Sequence, residues 1–508
     1  MKILTPQQIR AADAYTIKQE PIKSIDLMER ASQRFVDRFI HYFQKSFVVY
    51  IFCGTGNNGG DGFAIGRLLS ALGYDVKPYL IGALDKLSHE CSVNKTIFSK
   101  RVDITHLQDE QQIPKTFSES TVVIDAIFGS GLSRPLEGIY ATLINLVNEQ
   151  HCPRVAVDVP SGFQTEQPNA GHTVFQADLT FTFQAPKLGF FFPENYPYVG
   201  KWESINIDLD QQYIHGLPST NYFLTHNYIP RLLKKRGKFD HKGTHGHALL
   251  CAGKLTHQHA TVGAAILAAR AALRSGLGLL TIHSPAKACP ILQVSMPEAM
   301  VSLDTHPEVL STVDTVDLAR YNAIGIGPGI GQDQATIAFL KEVISHVNMP
   351  LVVDADALNI ISENKELLSQ LPAKSILTPH PKEFQRLFGA TNNSFERLKL
   401  QKSISQEHQL IIVYKGAHTT ISFPDGSAHF NTTGNSGMAT AGTGDVLCGI
   451  IMSLLAQGYS PEKAACLGVF LHGLAGDIAS EKTSSEAMIA SDLIKHLADA
   501  FTSIKSHH

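Results

Sequence analysis

A surplus of either charge is the first thing missing from this 508-residue sequence: 43 Lys+Arg against 46 Asp+Glu leave a formal net charge of −3. Without a field of one sign nothing draws in a polyanion such as nucleic acid or an acidic membrane, so partners must be recognised locally. Paired cysteines are missing too. The seven, Cys53, Cys91, Cys152, Cys251, Cys289, Cys448 and Cys466, form no C-x-x-C, which argues against a disulfide framework and for thiols in a reducing compartment. The richest apolar stretch, Val446 to Ala456, falls far short of the roughly 20 residues a membrane helix needs. The opening MKILTPQQIRAAD has no apolar signal core, and a cytoplasmic location is expected. No G-K-[ST] occurs after a glycine-rich turn, which excludes a Walker phosphate loop.

What is present is an ordinary globular composition, 44% hydrophobic and 18% charged, over a length that predicts two or three domains. A helical opening from about Pro6 to Gln44 leads into the apolar run Phe47 to Phe52, which reads as a strand buried on both faces. Similar runs at Asp75 to Ile81, Thr121 to Ile127, Arg154 to Val157 and Leu179 to Phe183 alternate with helical stretches, the signature of a parallel α/β sheet. A weakly patterned segment from about Tyr213 to His247 follows, with the basic run Lys234 to Arg236. A second alternation then runs through Ala248 to Cys251, Leu279 to His283, Ala323 to Ile326, Leu351 to Val353, Ser375 to Thr378 and Leu410 to Tyr414, and Phe423 to Ser427 reads as a hairpin turn. Two tandem α/β domains are expected, with no internal repeat because their glycine-rich turns differ in kind.

The first of those turns, Gly54-x-Gly56-x-x-Gly59, fits a dinucleotide fingerprint between strand and helix, but the acidic residue that should close the next strand is missing. The turn is polar instead, with Asn57, Asn58 and Asp61 among five glycines. Two more polar turns end strands: Asp125-Ala126-Ile127-Phe128-Gly129-Ser130-Gly131 and Asp158-Val159-Pro160-Ser161-Gly162. Loops at strand carboxyl ends line one crevice, where these oxygens suit a hard cation or polar ligand. The same residues also serve as ordinary helix caps and turn formers.

Together with Leu27-Met28-Glu29-Arg30-Ala31, these segments resemble the NAD(P)HX epimerase family over residues 1–215, which implies a Rossmann-like three-layer fold. The resemblance implies that Asn57, Asn58, Gly59, Gly60, Asp61, Gly129, Ser130, Gly131, Leu132, Ser133, Arg134, Pro135, Tyr140 and Asp158 surround hydrated NAD(P)H. It further implies that Asn58, Asp125 and Ser161 bind K⁺, and that the reaction interconverts R and S epimers at C6 of the nicotinamide, with Asp158 the candidate for handling or orienting a proton.

The strongest local pattern of the second half is Asn431 to Asp445, a run of small residues ahead of an apolar helix. Backbone N–H groups at such a helix start hold an anion, and Asp445 there stands ready to take a hydroxyl proton as a phosphoryl group is attacked. The alternative is a carboxylate that only favours a helix N-terminus. The segment resembles the ribokinase-like superfamily. With Thr378 to Glu383, Asp354 to Asn359, Gly327 to Gly331 and Lys415 to Thr419, residues 222–508 resemble its ADP- or ATP-dependent NAD(P)HX dehydratases. That resemblance implies an adenine nucleotide, ADP by preference, on Lys415, Gly416, Ala417, His418, Thr419 and Gly444. It places the hydrated nicotinamide against Ala264, Gly329, Gly331, His380 and Asp445, and Mg²⁺ with its water near Glu383. Lys382 stands where the family has glycine, so a different turn is expected. Ala252-Gly253-Lys254 replaces a usual Gly-Gly-Ser. His241, His245, His247, His257 and His259 read as a solvated loop, with a metal site the alternative.

The two resemblances on one chain imply repair of hydrated NAD(P)H, because the dehydratase consumes one epimer and the epimerase supplies it. The competing reading is a kinase for a small vitamin-precursor alcohol fused to a ligand- or RNA-binding module without turnover. A homo-oligomer is expected.

Overall fold

The computed structural model describes residues 1–132, 134–313 and 317–505. They divide into two compact units. One holds residues 2–219 and 393–395; the other holds Met1 and residues 220–392 and 396–508.

Among the described residues, the first unit forms a seven-stranded parallel sheet: β1 (Val48–Cys53), β2 (Asp75–Ile81), β3 (Thr105–Leu107), β4 (Thr121–Ala126), β5 (Arg154–Val157), β6 (Leu179–Phe183) and β7 (Lys201–Ile205). Their spatial order is β3-β2-β1-β4-β5-β6-β7. β4 and β6 are buried at every position, as strands covered on both faces must be. The cover comes from α1 (Pro6–Gln19), α2 (Ser24–Tyr42), α3 (Asn57–Ala71), α4 (His89–Phe98) and α5 (Ile139–Asn148), followed by the short α6 (Tyr196–Val199) and α7 (Gln211–Gly216). The helical opening is thus two helices. The break falls at residues 20–23, where Pro21 cannot donate a helical hydrogen bond. α1 starts on Thr5, whose hydroxyl accepts from Gln8 N while the Gln8 side chain accepts from Thr5 N.

The second unit holds β8 (Asn221–Phe223), β9 (His247–Cys251), β10 (Leu279–Ser284), β11 (Met300–Leu303), β12 (Ala323–Ile326), β13 (Leu351–Val353), β14 (Ile376–Leu377), β15 (Ile411–Tyr414), β16 (Thr420–Ser422) and β17 (Ala428–Phe430). Their order is β11-β10-β9-β12-β13-β14-β15-β16-β17-β8. The core from β11 to β15 is parallel. β16 and β17 form the expected antiparallel hairpin around Phe423 to Ser427. The helices are α8 (Val262–Arg274), α9 (Cys289–Ser295), α10 (Gln334–His346), α11 (Ala355–Glu363), α12 (Pro381–Phe388), α13 (Ser394–Glu407), α14 (Thr443–Ala456), α15 (Pro461–Thr483) and α16 (Ala490–Lys505). None of them is long and apolar enough to cross a membrane.

In each sheet the strand order reverses once between neighbouring strands, β1 and β4 in the first and β9 and β12 in the second. The loops beyond those strands therefore diverge and leave a crevice at the carboxyl ends. Close backbone packing sets its floor. A Cβ at Gly59 would lie 1.9 Å from the Gly54 carbonyl oxygen, so only glycine lets α3 start tight against β1. In the second unit α14 lies on α8 with equal closeness. A Cβ at Gly449 would sit 2.0 Å from the Ala268 carbonyl oxygen.

Gly449→Ala therefore forces two buried helices apart. It should destabilise the second unit by about 1–3 kcal/mol, seen as a lower melting temperature. An unchanged melting curve would show that α14 is not pinned against α8.

Candidate functional site

The crevice of the first unit is a cavity of about 1050 Å³, lined among others by Asn57, Asn58, Asp61, Gly129, Ser130, Gly131, Leu132, Arg134, Pro135, Tyr140 and Asp158. Ser133 lies outside the described residues. Gly59 and Gly60 are buried in α3, behind this lining. Their role there is steric: the missing side chains of Gly59 and Gly60 make room for the Gly54 carbonyl and the Met28 sulfur. α3 has no capping side chain, so its first-turn N–H groups are left for a ligand.

Asn58 lines the cavity, while Asp125 and Ser161 are buried and hydrogen-bonded to each other. The Asp125 carboxylate accepts from Ser161 N and Ser161 Oγ, both at 2.6 Å, and from Ile127 N at 3.1 Å. Burial pushes its pKa up to about 6 against the pull of those hydrogen bonds. The Asn58 amide packs against Gly129, and its Nδ2 is buried with no hydrogen-bond partner. Turned over about its last bond, that amide offers an oxygen instead. A buried carboxylate, a hydroxyl and an amide with an unspent polar atom fit a monovalent cation.

Asp158 has a left-handed backbone, φ +63°, strained for any residue but glycine. The strain turns its carboxylate onto a ring of donors: Lys187 Nζ at 2.8 Å, Phe183 N at 3.0 Å and Thr182 Oγ1 at 3.1 Å. Lys187 is buried, and its ammonium also donates to Thr182 Oγ1 and the Ala185 carbonyl. Two carboxyls from other elements border the same space, Asp13 of α1 and Asp61 of α3. Burial, then the charge of Asp158, raises both, Asp13 to about 6. Sequence reasoning missed Arg10, Asp13 and Lys187. Lys187 follows β6, so the strand-end rule that found Asp125 and Asp158 reaches it. Asp13 sits mid-helix and carries no such signal.

In the second unit Asp354 after β13, Glu383 after β14 and Lys415 after β15 come together beside the N-terminus of α14. Asp445 is half-buried in the first turn of that helix, whose N-cap is Gly442 at φ +89° and which has no capping side chain. Burial, then the negative charge of Asp354, raises the Asp445 carboxyl to about 7, with Lys415 opposing. Lys415 Nζ lies 2.9 Å from buried Asp354 Oδ1 and 3.9 Å from Glu383 Oε2. Burial alone would lower the Lys415 ammonium, but Asp354 and Glu383 outweigh it and hold it above its ordinary value. A Cβ at Gly444 would be 3.3 Å from Lys415 Nζ, which puts this pair at the helix start.

His380 caps α12. Its Nδ1 accepts from Lys382 N and Glu383 N, and the His380 backbone N–H donates to Glu383 Oε2 at 2.8 Å. Lys382 occupies an exposed first-turn position of α12. Burial and the neighbouring Lys415 lower the His380 pKa. Gly331 N donates to Asp356 Oδ2 at 2.9 Å, and the Gly329 carbonyl accepts from Thr261 Oγ1 at 2.6 Å one turn before Ala264. Lys415 to Thr419 form the β15–β16 turn, closed by Thr419 Oγ1 on the Gly416 carbonyl, with His418 Nδ1 2.9 Å from the Asn431 carbonyl. Part of the small-residue loop is already engaged, because Asp477 accepts from Gly434 N at 2.8 Å and Asn435 Nδ2 at 3.0 Å. The N–H groups open to an anion are thus those at the start of α14. Sequence reasoning gave no role to Lys254, Asp354, Asp356 or Asp477. Lys254, after β9, pairs with Asp333 at 2.7 Å.

Among the described residues no three His, Cys, Asp or Glu side chains converge as a metal cage. The His257 side chain is 91% exposed, as in a solvated loop, but His247 departs from that expectation: it begins β9, is half-buried, and its Nε2 lies 2.8 Å from Thr281 Oγ1. Mg²⁺ needs no cage, since it keeps waters and binds through one or two carboxylates and substrate phosphates. The excess of Asp354, Asp356, Glu383 and Asp445 over Lys415 suits it.

The NAD(P)H-hydrate dehydratase family matches residues 249–499, and the family described as YjeF-related protein N-terminus matches residues 24–189. The Bifunctional NAD(P)H-hydrate repair enzyme Nnr of Moorella thermoacetica is 36% identical over 515 residues, 98% of this chain and 96% of that protein. Its Escherichia coli counterpart is 31% identical over 450 residues, 88% and 84% of the two chains. A Bacillus subtilis ADP/ATP-dependent NAD(P)H-hydrate dehydratase, co-crystallised with ATP/Mg²⁺, is 31% identical over 56% of this chain and 98% of its own, with a TM-score of 0.48. Both halves match, and relatives of like length align along nearly the whole chain, so the chain belongs to the bifunctional NAD(P)H-hydrate repair enzyme family.

Proposed function

We propose that this chain repairs hydrated NAD(P)H: the first unit interconverts the R and S epimers at C6, and the second dehydrates the S epimer back to NAD(P)H with an adenine nucleotide, ADP in our reading. The observation that carries the dehydratase is a carboxyl with a pKa of about 7 in the uncapped first turn of α14, beside the Lys415–Asp354 pair.

In that arrangement the phosphoryl group sits on the N–H groups of α14. Asp445 takes the C6 hydroxyl proton as the oxygen attacks the terminal phosphorus of ADP, whose bridging P–O bond breaks with its electron pair leaving on AMP. The C6–O bond then breaks with its electron pair leaving on phosphate, a proton leaves C5, and the C5–C6 double bond returns. Lys415 and Gly444 face the nucleotide phosphates, and His380, Gly329, Gly331 and Ala264 border the nicotinamide. Mg²⁺, held through the carboxylates around Asp445, supplies neutralising charge to the phosphates. In the first unit Asn58, Asp125 and Ser161 hold K⁺, which fixes the turn that cradles the dinucleotide. A small-alcohol kinase shares the α14 arrangement but releases a stable phosphorylated product.

Asp445→Asn keeps shape and removes the base. Nucleotide-dependent NADH recovery should fall by about 10²–10⁴ with little change in melting temperature. A folded variant with more than about a tenth of wild-type turnover would falsify the base assignment. In the wild type, kcat/KM for dehydration should decline as pH falls below about 7, because the base is then protonated. A rate flat from pH 8 to 5.5 contradicts this. Asp125→Asn should abolish the dependence of epimerisation on K⁺, read by replacing potassium with a bulky organic cation. A variant that still responds to K⁺ as the wild type does removes Asp125 from the cation site.

A further inference from the structure

Among the described residues of the first unit, Asp13, Asn58, Arg67 and His172 each have a buried side-chain polar atom with no hydrogen-bond partner, and Asp13 is the one carboxyl of the four. It lies on α1, borders the cavity, and has Oδ1 buried with no hydrogen-bond partner. An orphaned buried carboxyl oxygen costs stability unless a ligand satisfies it. The groups that act on it are Asp158, whose carboxylate is already paired with Lys187, and the cations Lys187 and Arg10, with Asp61 of α3 on the same space. Of the three carboxyls that face this cavity, Asp158 is spent on an ammonium, while Asp13 has a buried oxygen with nothing to hold. That asymmetry is what acid and base partners need.

We propose that Asp13 is a second catalytic carboxyl of the epimerisation, the proton donor to the C6 hydroxyl, with Asp158 as its basic partner. The assignment rests on the epimerase reading of this unit. The Asp13 proton passes to the C6 hydroxyl oxygen, the C6–O bond breaks with its electron pair leaving as water, and the N1 lone pair closes an N1=C6 iminium. A water molecule then adds to the other face of C6, forming the new C–O bond and giving its proton to Asp158. One water leaves and one enters, nothing is oxidised or reduced, and the two carboxyls exchange roles for the reverse direction. Burial and the charge of Asp158 push the Asp13 pKa up to about 6, which keeps a usable protonated fraction near neutrality.

The test uses the full-length protein and a single purified epimer of hydrated NADH in ¹⁸O-water, followed by chromatography and mass spectrometry. Each wild-type inversion should place one solvent oxygen on C6. Epimerisation that retains the original oxygen overturns the proposal. Asp13→Asn should lose about 10²–10³ in kcat with KM within about threefold and should also lose the fall in kcat/KM that the wild type shows above about pH 6, while Asp13→Glu recovers part of the rate. A folded Asp13→Asn protein with more than a third of wild-type kcat, or a loss confined to KM, overturns it. If Asp13→Asn does not fold, a wild-type rate that does not fall above pH 6 is sufficient to overturn it. A wild type that cannot interconvert the epimers at all overturns the epimerase reading itself, and Asp13 with it.

Discussion

A reversal of strand order in an all-parallel stretch of sheet is the constraint on which both sites depend. Between β1 and β4, and again between β9 and β12, the connections leave in opposite directions, so the space beyond the strand ends cannot be filled by the chain that crosses it. Loops from several strands and one uncapped helix start, α3 in the first unit and α14 in the second, open onto that space. The chemistry follows from what those loops carry, because backbone N–H groups are supplied by the fold in either case.

The two units use buried charge differently. In the first, carboxyls outnumber cations around the cavity: Asp13, Asp61 and Asp158 share it with Lys187 and Arg10, and Asp125 is held apart by Ser161. The result is raised pKa values at Asp13, Asp61 and Asp125, suited to moving protons. In the second, Lys415 is clamped between Asp354 and Glu383, and Asp445 is left as the carboxyl without a cation of its own. That group titrates near neutrality, while the clamped lysine keeps its charge for phosphate. Removing either lysine would leave buried carboxylates uncompensated, which costs far more than a surface pair is worth.

Much of this was legible before any coordinates. β5, β6, β12 and β13 were readable residue for residue because they are buried at nearly every position, and β2 was readable although it is buried mainly at alternate positions. Asp125, Asp158 and Asp445 were readable as polar residues that end a strand or start a helix. β3, β7, β8 and β11 were not, since β3 and β8 are three residues long and β7 and β11 are mostly unburied, so no buried apolar run announces them. Asp13 escaped for a related reason: a single acid within an amphipathic helix looks like any solvated position until the opposite wall of the cavity is in place.

The central claim is that one chain carries two activities acting in sequence on one damaged molecule. Pure R epimer of hydrated NADH, incubated with the full-length protein, ADP, Mg²⁺ and K⁺, tests it directly by the return of reduced-nicotinamide absorbance. The account predicts complete recovery of NADH from the R epimer, at a rate limited by epimerisation, and only an equilibrium mixture of epimers when nucleotide is withheld. Consumption of the S epimer with no acceleration of R-epimer recovery over buffer would contradict it.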